Sequence, residues 1–133
     1  MTVTIAVLNQ KGGVGKTTVT LGLTSALRAR QKVTLVVDLD PQQSSTWALG
    51  IDPGTYDADV STAMESNREG AAANAIYETG WGPLVDLLPG SPDLTERDTE
   101  TGRTNPQDRL RRALAGITDA YDVVLIDCPP SLG

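Results

Sequence analysis

The chain has 133 residues, with 17 acidic side chains against 11 basic ones and a net charge of −6. That length holds one domain with a real core, and no stretch is basic enough to carry non-specific nucleic-acid binding by itself. With no Phe, two Trp and three Tyr there is no aromatic platform for stacking bases, while one Cys and no His exclude a disulfide framework, standard zinc-site spacing and a Ser-His-Asp triad.

In chain order, residues 3–8 form a near-continuous apolar run, the pattern of a strand buried on both faces. This run is too short for a signal peptide or a membrane span, and no basic region precedes it, so a cytoplasmic protein is expected. Next comes Leu8-Asn-Gln-Lys-Gly-Gly-Val-Gly-Lys-Thr-Thr18, and from Lys16 to about Arg30 the apolar positions Val19, Leu23, Ala26 and Leu27 share one helix face. Strand, glycine loop and helix together make the context of a phosphate site. Gly12, Gly13 and Gly15, with Val14 between them, allow successive backbone N–H groups to converge without Cβ clashes, and the helix start adds its positive end. Lys16 supplies a point charge for the β- and γ-phosphates, and the Thr17 hydroxyl is placed to ligate Mg2+. The pattern departs from G-x-x-x-x-G-K-[ST] in one respect: Gln10 stands where the first glycine belongs, and Lys11 and the Gly12-Gly13 pair follow it.

A second strand is predicted over residues 33–37, ending in Asp38-Leu-Asp-Pro-Gln42, and the two strands with their intervening helix make a right-handed parallel βαβ unit. Short helices are expected over 44–49, closed by Gly50, and over 60–66 and 71–77. Residues 84–88 make a third strand stopped by Pro89-Gly90, and Asp86 within it argues for a sheet edge. A polar loop over 91–104 leads to a helix with Asn105 as N-cap, Pro106 at N1 and Asp108 at N3. Its apolar face is Leu110, Ala113, Leu114 and Ile117, and Arg109, Arg111 and Arg112 read as its solvated side. The fourth strand, 123–126, runs into Asp127 and Cys128.

Ligands of a parallel sheet gather at the carboxyl ends of its strands, which is where the glycine loop, Asp38, Asp40 and Asp127 all fall. An apolar strand ending in Asp is how a Walker-B carboxylate is presented to Mg2+, usually through a water. Lys11-Gly-Gly-Val-Gly-Lys-Thr-Thr18, Asp38-Leu-Asp-Pro-Gln42 and Ile126-Asp-Cys-Pro-Pro-Ser131 resemble, in order and spacing, the signature motifs of the ParA/Soj family of deviant Walker A partitioning ATPases. The Leu87-Leu-Pro-Gly90 strand end is similar to that family as well.

The resemblance implies an α/β fold: a doubly wound parallel sheet of the P-loop NTPase type, with residues 1–133 as a single nucleotide-binding domain. It implies the strand order 84–88, 33–37, 122–126, 3–8. It assigns the β/γ-phosphates to Lys16, Mg2+ to Thr17 and Asp127, the α-phosphate to Thr18, and the attacking water to Asp40. Lys11 matches the lysine that reaches across an ATP-sandwich homodimer. For Asp38 two roles stand open, bonding loop amides or meeting a Mg2+-bound water, and Cys128 falls on a packing position. ATP and Mg2+ as cofactors, non-specific DNA, a ParB-like centromere-binding partner, and no membrane association follow from the same resemblance. Alternatives are a MinD-like positioning ATPase and a truncated, non-catalytic nucleotide- or partner-binding module. Members of the family run on well past the third motif. The strand at 3–8 is therefore expected to lie outermost in this chain, prone to edge-to-edge association, with weak nucleotide binding and no turnover for the 133 residues alone.

Overall fold

The computed structural model describes residues 1–8, 14–52, 55–94 and 106–128, with backbone only for 14–17 and 106–107. In chain order the elements are β1 (Val3–Val7), α1 (Val14–Ala29), β2 (Thr34–Asp38), α2 (Ser44–Ala48), α3 (Val60–Ser66), β3 (Tyr77–Thr79), β4 (Gly82–Leu88), α4 (Pro106–Ala113) and β5 (Val123–Asp127). Single 3-10 turns lie at Ala71–Ala75 and Thr118–Ala120. One sheet has the order β1-β5-β2-β4-β3, parallel throughout except for β3, which runs antiparallel to β4.

β2 is the centre of the sheet and all of it is buried. Its side chains alternate between faces, as a strand's must. Leu35 and Val37 enter a core with Val60, Ala63 and Met64 of α3, Leu110 and Ala113 of α4, and Val124. Val36 enters a second core with Leu49, Val85 and Leu87, against which Leu21 of α1 packs. Both faces are covered, which is why β2 is apolar without alternation. α3 starts on a capping box: the Asp59 carboxylate accepts from the Thr62 backbone N–H, and the Thr62 hydroxyl accepts from the Asp59 N–H. Among the described residues no helix is long and apolar enough to cross a membrane.

The expected order of the four parallel strands is found, with β1 next to β5 at one margin. Val3 and Ile5 there are 50% and 37% exposed. Two expectations are corrected at the other margin. Residues 71–77 do not form one helix: the alanines make a 3-10 turn, and Tyr77 leaves it to start β3. Tyr and Thr favour a pleated strand, and Gly82 at φ 100° closes the turn back into β4. β4 is therefore not an edge strand, because β3 covers it. The Asp86 carboxylate is accommodated there by a partner, the Tyr121 hydroxyl, which donates to Asp86 Oδ2 at 2.8 Å. The expected N-cap Asn105 lies outside the described residues.

Candidate functional site

The site is assembled where β1, β5 and β2 end side by side. Val7 is in register with Asp127, and Asp127 with Asp38, so the Walker-B position sits between the strand that carries the glycine loop and the strand that carries Asp38. The ladder continues past these ends, with the Cys128 N–H donating to the Val7 carbonyl at 3.1 Å and the Leu39 N–H to the Asp127 carbonyl at 2.9 Å. Lys11, Gly12 and Gly13 lie outside the described residues. Val14, Gly15, Lys16 and Thr17 form the first turn of α1, so the helix begins within the motif, and Thr18 is exposed behind them.

Asp38 is completely buried and held by donors from one short stretch. Its Oδ1 accepts from the Asp40 N–H at 3.0 Å, and its Oδ2 accepts from the Thr46 N–H at 3.0 Å and the Thr46 hydroxyl at 2.7 Å. The Thr46 oxygen in turn accepts from the Gly90 N–H at 2.9 Å, tying the end of β4 into the same network. Burial pushes the Asp38 carboxyl up to about 6, against the pull of these donors and with a further push from Asp127. Close approach favours glycine at position 90: a Cβ there would stand 3.0 Å from Asp38 Cγ and 3.2 Å from the Asp40 carbonyl oxygen. Tyr56 closes the far side by donating to the Gly90 carbonyl at 2.7 Å.

Asp40 is nearly buried, and its Oδ1 accepts from the Gln42 N–H at 2.9 Å, which turns the chain sharply behind it. Gln43 continues the turn at φ 61° and leads into α2. Asp127 is fully buried, and its Oδ2 accepts from the Ser45 hydroxyl. Ser45 and Thr46 belong to no motif in the sequence, although the hydroxyl run Ser44-Ser45-Thr46 shortly after the Asp-x-Asp turn is a legible source of donors. Cys128 is half-buried, and its thiol donates to the Ile126 carbonyl at 3.7 Å.

The donors gathered here are carboxylate oxygens, the chemistry that a hard divalent cation takes. No group of three or more His, Cys, Asp or Glu that could hold a metal ion occurs among the described residues. The set fits Mg2+, which binds through one or two carboxylates and fills its shell with water and phosphate oxygens.

A parallel sheet with a glycine loop after its first strand, a helix starting within that loop, and aspartates on adjoining strand ends is a P-loop NTPase fold. The AAA domain family matches residues 2–133. The chromosome partitioning protein ParA of Myxococcus xanthus is 38% identical over 97% of this chain and 45% of its own length. The sporulation initiation inhibitor protein Soj of Bacillus subtilis is 37% identical over 97% of this chain and 50% of its own. Among solved structures, cobyrinic acid a,c-diamide synthase from Mycobacterium smegmatis with a bound ATP analogue and magnesium superposes with a TM-score of 0.85 at 40% identity, over 100% of this chain and 53% of that one. The chain belongs to the AAA domain family as a ParA/Soj-type P-loop protein, and it spans about half the length of the relatives it matches.

Proposed function

We propose that the protein is a Mg2+-dependent ATPase of the ParA type acting in plasmid or chromosome partitioning, and that residues 1–133 are a single domain forming the nucleotide-binding part of it. The observation that carries this reading is the register of Val7, Asp127 and Asp38, which sets two buried carboxylates beside the end of the strand leading into the glycine loop. Lys11, the loop from Gly12 to Gly15, Lys16, Thr17 and Thr18 take the phosphates. Thr17, Asp127 and Asp38 would hold Mg2+, which would neutralise charge on the phosphates.

Asp40 sits within two residues of Asp38, on a turn that Asp38 and Gln42 fix, and we assign it the attacking water. Lys11 is assigned the phosphates of a partner subunit in an ATP-bound homodimer, where a cation stabilises charge as the γ-phosphoryl leaves. Non-specific DNA, a ParB-like partner that stimulates turnover, and a cytoplasmic location complete the proposal. A second reading, an ATP-dependent synthase, is favoured by the identity to the M. smegmatis structure. Hydrolysis that rises with DNA and not with cobyrinic acid decides for partitioning.

The direct test is calorimetry of ATP with Mg2+ on the full-length protein and its Lys16→Ala variant. Loss of a charge-assisted phosphate contact, about 1.5–3 kcal/mol, predicts roughly ten- to a hundredfold weaker binding. Unchanged affinity would refute the assignment.

A further inference from the structure

α2 is only five residues long, yet two of its consecutive side chains reach the two strand-end carboxylates. Successive helix positions diverge by about 100°, so Ser45 and Thr46 address different acids. Thr46 serves Asp38 through its N–H and hydroxyl, and it also receives Gly90. Ser45 serves Asp127, bridging 82 positions of sequence with both side chains fully buried. A buried hydroxyl bonded to a buried carboxylate restricts how that carboxylate can turn, and donors standing behind a metal-binding group of this kind set its affinity.

We propose that Ser45 is a positioning residue that pre-orders the Asp127 carboxylate for the divalent cation, so that α2, directly behind the Asp40 turn, is coupled to arrival of the Mg2+–nucleotide. The inference rests on the reading of this edge as a Mg2+–nucleotide site. Thr46 differs from Ser45 in having a second task, since its hydroxyl oxygen also accepts from the Gly90 N–H and ties in the end of β4. The inference predicts that the effect of Ser45 passes through Asp127 alone.

The experiment is a fluorescent-nucleotide titration of the full-length protein, in EDTA and across a Mg2+ series, with thermal unfolding as a check on folding. Ser45→Ala is expected to raise the Mg2+ concentration for half-maximal binding about tenfold while leaving binding in EDTA unchanged. Ser45→Cys, close in size and a poorer donor, should shift the midpoint in the same direction, and Ser45→Thr, which keeps the hydroxyl, should restore it. In an Asp127→Asn background Ser45→Ala should have no further effect. A wild-type Mg2+ midpoint in Ser45→Ala and Ser45→Cys would overturn the inference and leave the nucleotide site standing, as would an equal shift in the Asp127→Asn background. If the wild-type protein shows no Mg2+-dependent nucleotide binding, the site assignment and the role of Ser45 fall together.

Discussion

Replacing Gly90 by Ala tests how tightly the end of β4 is packed against the candidate site. The added Cβ would stand 3.0 Å from Asp38 Cγ, 3.1 Å from Asp38 Oδ2 and 3.2 Å from the Asp40 carbonyl oxygen. None of these atoms is the end of a flexible chain: Asp38 is held by Asp40 and Thr46, and the Asp40 carbonyl accepts from Gln43. Relief requires Gly90 to retreat, which strains its N–H bond to Thr46 and its carbonyl bond from Tyr56. Overpacking of this kind costs about 1–3 kcal/mol. Gly22 is the matched control, since it lies in α1 with nothing within 4 Å of its would-be Cβ. There the same substitution should stabilise by about 0.5–1 kcal/mol through helix propensity. Urea unfolding followed by circular dichroism should therefore move the two midpoints in opposite directions. A Gly90→Ala midpoint at or above wild type would refute the packing argument.

Asp38, raised by burial from 3.8 to about 6, binds a proton more readily folded than unfolded. Its contribution to stability is thus full below about pH 4 and lost as pH rises to about 6, a change of about 3 kcal/mol at 1.36 kcal/mol per unit. The stability of wild type relative to Asp38→Asn should fall over that range, and a difference flat with pH would count against it. Tyr121→Phe removes the donor to the half-buried Asp86 carboxylate and should cost about 1–2 kcal/mol by chemical denaturation, with Asp86→Asn relieving part of the loss. Asp40→Ala should retain ATP and accumulate dimer in sedimentation, whereas Lys11→Ala should weaken dimerisation and turnover together while ADP still binds. Wild-type hydrolysis by Lys11→Ala would remove the in-trans role.

What could be read from residues alone follows the range of the forces involved. β2 and β5 announce themselves because a strand covered on both faces has to be apolar at nearly every position, and their terminal aspartates stand out against that background, whereas β1 carries an equally apolar run with Val3 and Ile5 exposed at the sheet margin. α4 is legible from its helical spacing, since Leu110 and Ala113, with Leu114 just past its end, fall on one side and are buried there. β3 was hidden: its three residues become a strand only by pairing with β4, and the alanines before Tyr77 carry a helix-like composition that tertiary contacts override. Asp86 misled for a related reason, because the Tyr121 hydroxyl that accommodates it comes from 35 residues away. At the site the acidic positions were legible and their hydrogen-bond donors were not. Asp38, Asp40 and Asp127 end apolar runs or follow them, but Ser45 and Thr46 matter through where α2 places them.

The sheet's asymmetry has a kinetic consequence. β2 is flanked by β4 and β5, whereas β1 is paired among the described residues with β5 alone, and its outward side chains are open to water. In the 133-residue chain, backbone amides should therefore exchange with deuterium slowly in β2 and faster in β1, the strand that leads to the glycine loop. A ligand gripping that loop would slow exchange several residues away along β1, making protection there a sensor of occupancy that needs no label.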